Sequence, residues 1–420
     1  MQILFIHQNF PAQFVHLAPA LARRGHEVFA LTLRKDVPIN WQGISVTCYD
    51  IQALATTHQH PWVTEFQTKV IRGEAALRAM LALQKRGVNP DIVVAHPGWG
   101  EALFVRQVWP HCKLGLYAEF FYQSDGTDMN FDPEFPSIDQ ITQGAKLHLK
   151  NAHNLLQLQD ADALLSPTEF QANTFPQWVH DRISVIHDGI DTHVIAPNAA
   201  AHLKFTDAQG VPRILTRSDE VITFVNRNLE PYRGYHTFMR ALPDILRQRS
   251  NAQCLIVGGD EVSYGAKPNF AEYGNMTWKD IFLNEAKKNL KADELTRIHF
   301  MGRLSRHDFT SLLQISTVHI YLTYPFVLSW SLLEAMSAGC AIVASDTAPV
   351  KELITHEEHG ILVSFFDPKK LSDTVVSLLG NKEQREQLGN NARSHIKAHY
   401  DFSSHCLPKQ IEWVEGLNAR

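Results

Sequence analysis

Short, wholly apolar runs alternate with helical patterns along this chain, and the rhythm starts twice, which leaves few folds open to it. The first pass places strands at Ile3–Ile6, Val28–Leu33, Asp91–Ala95, Lys113–Tyr117, Ala163–Ser166 and Ile183–Ile186. Runs with no polar alternation are the mark of strands buried on both faces of a parallel sheet. Between the first two runs a helix is expected from Ala12 to Arg24, with Phe14, Leu17 and Leu21 on one face and Gly25 as its C-cap. A polar stretch with two prolines at 197–218 reads as a linker, after which the rhythm restarts. Strands are expected at Val221–Val225, Cys254–Val257, Arg297–Phe300, Val318–Leu322, Ala341–Ala344 and Gly360–Val363. Helices are expected at Tyr235–Arg249, Arg306–Ile315 and Ser331–Ala338, and the last 50 residues read as mainly helical. The reading is therefore two successive doubly wound α/β domains, 1–196 and 219–404. A length of 420 residues suits two cores better than one.

Composition narrows the function classes. A net charge of −5 and the lack of a long basic run leave nothing to attract nucleic acid. The five cysteines, Cys48, Cys112, Cys254, Cys340 and Cys406, are isolated and show no metal-ligand spacing. Reduced thiols of a cytoplasmic protein are the expectation. The opening Met1–His7 is too short for a signal peptide, and no run approaches the ~20 apolar residues that cross a bilayer. Peripheral contact at the inner face of a membrane stays compatible, since it needs only a surface patch.

Ligands on open α/β sheets bind beyond the carboxyl ends of the strands, which directs the search to the loops there. One such loop runs Tyr324-Pro-Phe-Val-Leu-Ser-Trp-Ser-Leu-Leu-Glu334, from a strand end into a helix start near Ser329 or Ser331. Free amides at a helix start suit phosphate, and those near Leu328 and Ser329 are candidates. Glu334, a turn further on, has two readings: a carboxylate accepting from two ribose hydroxyls, or an exposed helix glutamate. A second loop, Val225-Asn-Arg227-Asn-Leu-Glu-Pro-Tyr-Arg233-Gly234, sets two arginines six apart around a turn. They either converge on one diphosphate or are solvated surface charges.

Together these stretches resemble the retaining glycosyltransferases of family 4. The resemblance implies the GT-B fold, two Rossmann-like domains facing a central cleft, and spans nearly the whole chain. Arg227 matches the arginine of the family's diphosphate loop, and Arg233 stands where the family has lysine. Glu334 matches the second glutamate of the Glu-x7-Glu signature, the ribose binder, and Ala335–Ser345 match the family's next residues. The first glutamate is replaced by Phe326, at a position that lies by the donor sugar in the family. Gly302 and Arg303 sit where the family turns a glycine loop toward the base. The family's last helix crosses back to the first domain, so 405–420 is expected to pack there. The opening His7–Phe14 and the stretch around Glu119 resemble a bacterial subgroup linked with surface-polysaccharide assembly.

On this resemblance the donor is a nucleotide-diphosphate sugar, and the acceptor a hydroxyl of a glycan, a lipid-linked sugar or a protein. In the first domain His96 is similar to a family histidine near the reacting sugar; the alternative is a turn histidine holding its own loop. Glu119 either binds acceptor hydroxyls or caps a loop, and Phe10 and Pro11, in the turn after the first strand, are acceptor-side candidates. Neither a cofactor nor a metal is expected. The one Asp-x-Asp match, Asp160-Ala-Asp162, lies between a helix and a strand, where capping is the simpler role. Two rival readings stay open: a nucleotide-sugar-binding protein with little transferase activity, suggested by Phe326, and another GT-B enzyme such as an epimerase.

Overall fold

A computed structural model describes residues 1–51, 60–136 and 139–418 of the chain. They form two compact units, one running from Met1 to Gly189 and resuming at Phe402, the other Ile190–Asp401. The first unit holds strands β1 (Gln2–Ile6), β2 (Glu27–Thr32), β3 (Asn40–Trp41), β4 (Ile44–Cys48), β5 (Ile92–Ala95), β6 (Lys113–Tyr117), β7 (Ala163–Ser166) and β8 (Ile183–Val185). They make one sheet in the order β3-β4-β2-β1-β5-β6-β7-β8, parallel except for the short edge pair β3–β4. Six of these strands are legible as apolar runs; β3 and β4 are not. β4 (Ile-Ser-Val-Thr-Cys) alternates polar with apolar residues, as befits a strand near the sheet edge.

The strands of the first sheet bury both faces. In β1, Ile3 and Phe5 join one core cluster, and Leu4 and Ile6 the other. The expected helix over 12–24 is divided: a 3-10 turn at Ala12–Phe14, then an α-helix Leu17–Arg23. Pro19 explains the later start, because proline is tolerated only in the first turn of a helix. The helix Leu407–Leu417 belongs to this unit, with Trp413, Val414 and Leu417 buried in the cluster around Ile3 and Phe5. Gly115 in β6 makes the approach possible, since a Cβ there would lie 2.6 Å from the Trp413 ring.

In the second unit the stretch expected as a linker is structured. Strands β9 (His202–Thr206) and β10 (Pro212–Thr216) form an antiparallel hairpin. Leu203 and Leu215 anchor it in the core. The remaining strands are β11 (Val221–Asn228), β12 (Gln253–Gly259), β13 (Ile298–Gly302), β14 (Val318–Tyr321), β15 (Ala341–Ser345) and β16 (Ile361–Val363). They form a wholly parallel sheet, β13-β12-β11-β14-β15-β16. Each large sheet reverses its winding once: the chain moves outward from β1 to β2 and then to β5 on the other side, and from β11 to β12 and then to β14. The crevice at such a reversal, beyond the carboxyl ends of the strands, is where open α/β sheets hold ligands. Among the described residues no helix is long and apolar enough to cross a membrane.

Candidate functional site

At the reversal of the second sheet, β11 and β14 end side by side. The register between β11 and β12 breaks between Val225 and Asn228, so Arg227 leaves the regular ladder and is exposed. It has no hydrogen bond or ion pair among the described residues. Glu230 comes next and is fully buried. Its carboxylate accepts from the amides of Ser263 (3.0 Å), Tyr264 (3.3 Å) and Gly265 (3.1 Å), and Asn228 Nδ2 donates to Ser263 Oγ at 2.7 Å. The loop after β12 is thus tied to the end of β11.

Arg233 lies in the turn that follows. It is buried, and its Nη1 donates to Thr323 Oγ1 at 2.8 Å and to the Val327 carbonyl at 3.0 Å. The guanidinium lies 4.9 Å from the Tyr264 ring and 6.0 Å from that of Phe326, within cation–π range. The turn that delivers it needs Gly234, whose φ is +67° and where a Cβ would meet Leu322 Cβ at 2.3 Å. Through Nη1, Arg233 thus clasps the loop after β14.

Phe326, in the place of the family's glutamate, is buried against Tyr264 (ring centroids 5.1 Å) and Tyr232 (5.5 Å). Leu328 is turned into the hydrophobic core, so only its backbone faces the loop; its amide makes no hydrogen bond among the described residues. The Ser329 amide is taken by Tyr321 Oη at 3.0 Å, and Ser329 Oγ caps the helix Trp330–Ser337 by accepting from the Ser331 amide. Of the two expected amides, that of Ser329 is already taken within the chain.

Glu334 is not an exposed helix glutamate. It is 5% exposed and pairs with Arg306 at 2.6 Å. Burial pushes its carboxyl above the usual range, while Arg306 acts in the opposite direction. Gly302, at the end of β13 with φ +60°, and Arg303 are both exposed, the latter 4.0 Å from Glu261. They stand two strands away from β11. Arg306, Glu230 and Tyr264 carry no signal in the sequence, because no spacing links them to the residues they touch.

In the first unit, β1 and β5 end side by side at the reversal and present His7 and His96, with Glu119 after the neighbouring β6. His96 holds its own turn and also faces Glu119. Its Nδ1 accepts from the Gly98 amide at 3.1 Å, holding the turn, while Nε2 stands 3.4 Å from Glu119 Oε2. The ring is stacked on Trp99 and Tyr117. Glu119 Oε1 accepts from Gln13 Nε2 at 3.3 Å. Burial pushes the Glu119 carboxyl up, but His96 and Gln13 outweigh it and hold it below the usual range. Phe10 is not at a surface: its ring is fully buried, beside Phe5 and Trp41, because the turn folds it back over β1. Pro11 is partly exposed.

The chain is similar to known proteins in sequence and in fold. Residues 24–195 match the glycosyl transferase family 4 group, and residues 212–395 match glycosyl transferases group 1. The chain is 26% identical over 220 residues to a D-inositol 3-phosphate glycosyltransferase of Corynebacterium efficiens, covering 52% of this chain and 47% of that one. An uncharacterized glycosyltransferase of Methanocaldococcus jannaschii is 22% identical over 96% of this chain and 95% of its own. The matches thus span about half of the first relative and nearly all of the other. Among solved structures, sucrose-phosphate synthase from Thermosynechococcus elongatus has a TM-score of 0.71 at 18% identity, covering all of both chains. Anabaena HepE, solved in complex with UDP and glucose, has a TM-score of 0.64 at 16% identity, again over both whole chains. At these identities the structures speak for the fold alone.

Proposed function

The chain belongs to the GT-B glycosyltransferases of family 4 type, and from that premise we propose that it moves a sugar from a nucleotide-diphosphate sugar to an acceptor hydroxyl with retention of configuration. The observation that carries this reading is the end of β11 and β14: an unpaired, exposed Arg227 beside a clasped loop that leads to a buried Glu334. An exposed, unpaired cation suits the diphosphate and offsets the charge that grows on the departing nucleotide. Glu334 is held by Arg306 with one carboxylate oxygen, leaving the other for ribose hydroxyls. Arg233 keeps the loop in the shape that presents the Leu328 amide. Gly302 and Arg303 flank the base. The acceptor hydroxyl enters from the first unit, on the side of His96 and Glu119.

No metal is needed on this reading, since arginine supplies the charge. A role in bacterial surface polysaccharide or glycoconjugate synthesis, at the inner face of the membrane, is the biological setting we propose. Phe326 favours one alternative: with no carboxylate at that position, the chain holds the nucleotide sugar and transfers little. A thermal-shift screen of UDP-, GDP-, ADP- and dTDP-sugars tests donor binding, and acceptor-dependent release of free nucleotide tests transfer. The expected result is stabilisation by one donor series, and turnover that a chelator leaves unchanged. Stabilisation by none would overturn the donor reading, binding without release across an acceptor panel would favour the alternative, and loss restored by Mg²⁺ would refute metal independence.

A further inference from the structure

We infer that the second unit carries a phosphate-binding site at the end of its sheet opposite the reversal crevice, formed by Arg217, Lys382 and Arg385. The site goes beyond the donor reading and stands independently of it.

β14 and β15 lie side by side and parallel, and their carboxyl ends feed the loops discussed above. At their amino ends is a cavity of about 130 Å³, walled by Ser316 before β14 and by Gly339 before β15. Pockets for drug-sized ligands run to roughly 300–1,000 Å³, so this one suits an ion or a single phosphate group. Its charges come from distant parts of the chain. Arg217 follows β10, and Lys382 and Arg385 lie in the first turns of the helix Lys382–His399. The helix is pressed onto the strand start at Gly389, where a Cβ would stand 2.4 Å from the Gly339 carbonyl oxygen. The walls are therefore held in place by packing before any ligand arrives.

Arg385 is held too. Its Nη1 donates to the carbonyls of Leu378 and Leu379, the latter at 2.7 Å, at the end of the helix Pro368–Gly380. That leaves its Nε–Nη2 edge, the fork that takes two oxygens of a phosphate, without a partner among the described residues. Arg217 is exposed and makes neither a hydrogen bond nor an ion pair among the described residues. The neighbouring acids are engaged elsewhere. Glu220 pairs with Arg249, and Asp219 Oδ2 accepts from the Thr216 amide and hydroxyl at 2.8 and 2.9 Å. Glu386 is the one carboxylate in the lining among the described residues, and it stands 3.7 Å from Lys382 in a loose, exposed pair. Burial pulls the Arg385 guanidinium below its ordinary value, and the Glu220 carboxylate does not make up the difference. Three cations around one carboxylate repel a metal ion and offer little to a neutral sugar. A phosphate dianion accepts from several directions at once, as cations on separate walls require. It is either free inorganic phosphate or the monoester group of a sugar phosphate, and the experiment separates the two.

The test is calorimetric titration of the full chain with inorganic phosphate and, separately, with glucose 6-phosphate. The buffer is free of phosphate, and sodium chloride at matched ionic strength serves as the blank. Saturable binding is expected, and it is expected to persist in Arg227→Ala, which removes the cation of the donor loop. Arg217→Ala and, separately, Lys382→Ala are each expected to weaken it about 10-fold in Kd. Both side chains are exposed, so the unfolding midpoint without phosphate should stay where it was. Tighter binding of glucose 6-phosphate assigns the site to an ester, and tighter binding of phosphate assigns it to the free ion. No heat beyond the chloride blank with either ligand, binding lost in Arg227→Ala, or binding untouched by both Arg217→Ala and Lys382→Ala would overturn the site. Phosphate binding that survives when Arg227→Ala has lost the nucleotide sugar keeps failure of the donor reading separate from failure of this one.

Discussion

The two sheets reverse their winding in the same way and furnish the reversal with opposite chemistry. At β11 and β14 the side chains are ionic: an exposed Arg227, a clasped Arg233, and Glu334 paired with Arg306. At β1 and β5 they are imidazole rings held by backbone amides, with a single carboxylate beyond them. The same topology therefore carries charged side chains at one reversal and mostly ring side chains at the other. The reversal supplies a place, and the few residues after each strand supply the specificity.

The contrast breaks first, and hardest, at Arg233. If it is a clasp, Arg233→Ala leaves the Val327 carbonyl and the Thr323 hydroxyl without their buried donor and loosens the loop after β14. A loss of about 3 kcal/mol in unfolding free energy is expected, measured by urea denaturation, with Arg233→Lys recovering only part of it. Unchanged stability with lost donor binding would make Arg233 a ligand group after all.

Acid sensitivity at the reversal of the first sheet comes next. His7 is held at about 2 against an ordinary 6.5, so below 6.5 the unfolded chain takes up a proton that the folded chain refuses. Stability is therefore complete above pH 6.5 and falls as pH drops, by about 1.4 kcal/mol per pH unit through this one residue. His7→Asn, whose side-chain oxygen can also accept from the Asn9 amide, should flatten the pH dependence of the unfolding midpoint by that amount between about pH 6.5 and 4. An unaltered slope would show that His7 is not a buried neutral group.

The smallest effect on the fold, though not on turnover, belongs to Arg227. Because it is exposed and unpaired, Arg227→Ala should leave the unfolding midpoint where it was. Turnover should fall by more than roughly 10-fold, about 1.4 kcal/mol in the barrier. Near-normal turnover would remove the cation on which the contrast between the two ends depends.

Much of the molecule is legible in the sequence, for definite reasons. Strands buried on both faces are largely apolar, so β1, β5, β11 and β14 are visible as runs such as Ile3–Ile6 and Val318–Leu322. The edge strands β3 and β4 and the hairpin β9–β10 are hidden, because edge strands carry polar residues and resemble loops. Candidate residues are legible wherever they come after a strand: His96, Glu119, Arg227 and Glu334 all lie at strand ends or in the helix beyond. Phe10 misleads for the same reason, since position after a strand says nothing of which way a ring turns.

The number of sheets, their doubly wound character and the loops in which chemistry resides can all be read from the amino-acid order, because periodicity and burial are local properties of the chain. Which charges are free is a matter of packing. Arg227 and Arg233 are six residues apart in one loop, yet one meets solvent and the other is claimed by Thr323, 90 positions further on, and by Val327. Glu334 likewise finds Arg306, and His96 finds Glu119. A hydrogen bond forms between groups that folding brings within about 3 Å of each other, and no spacing along the chain encodes that distance.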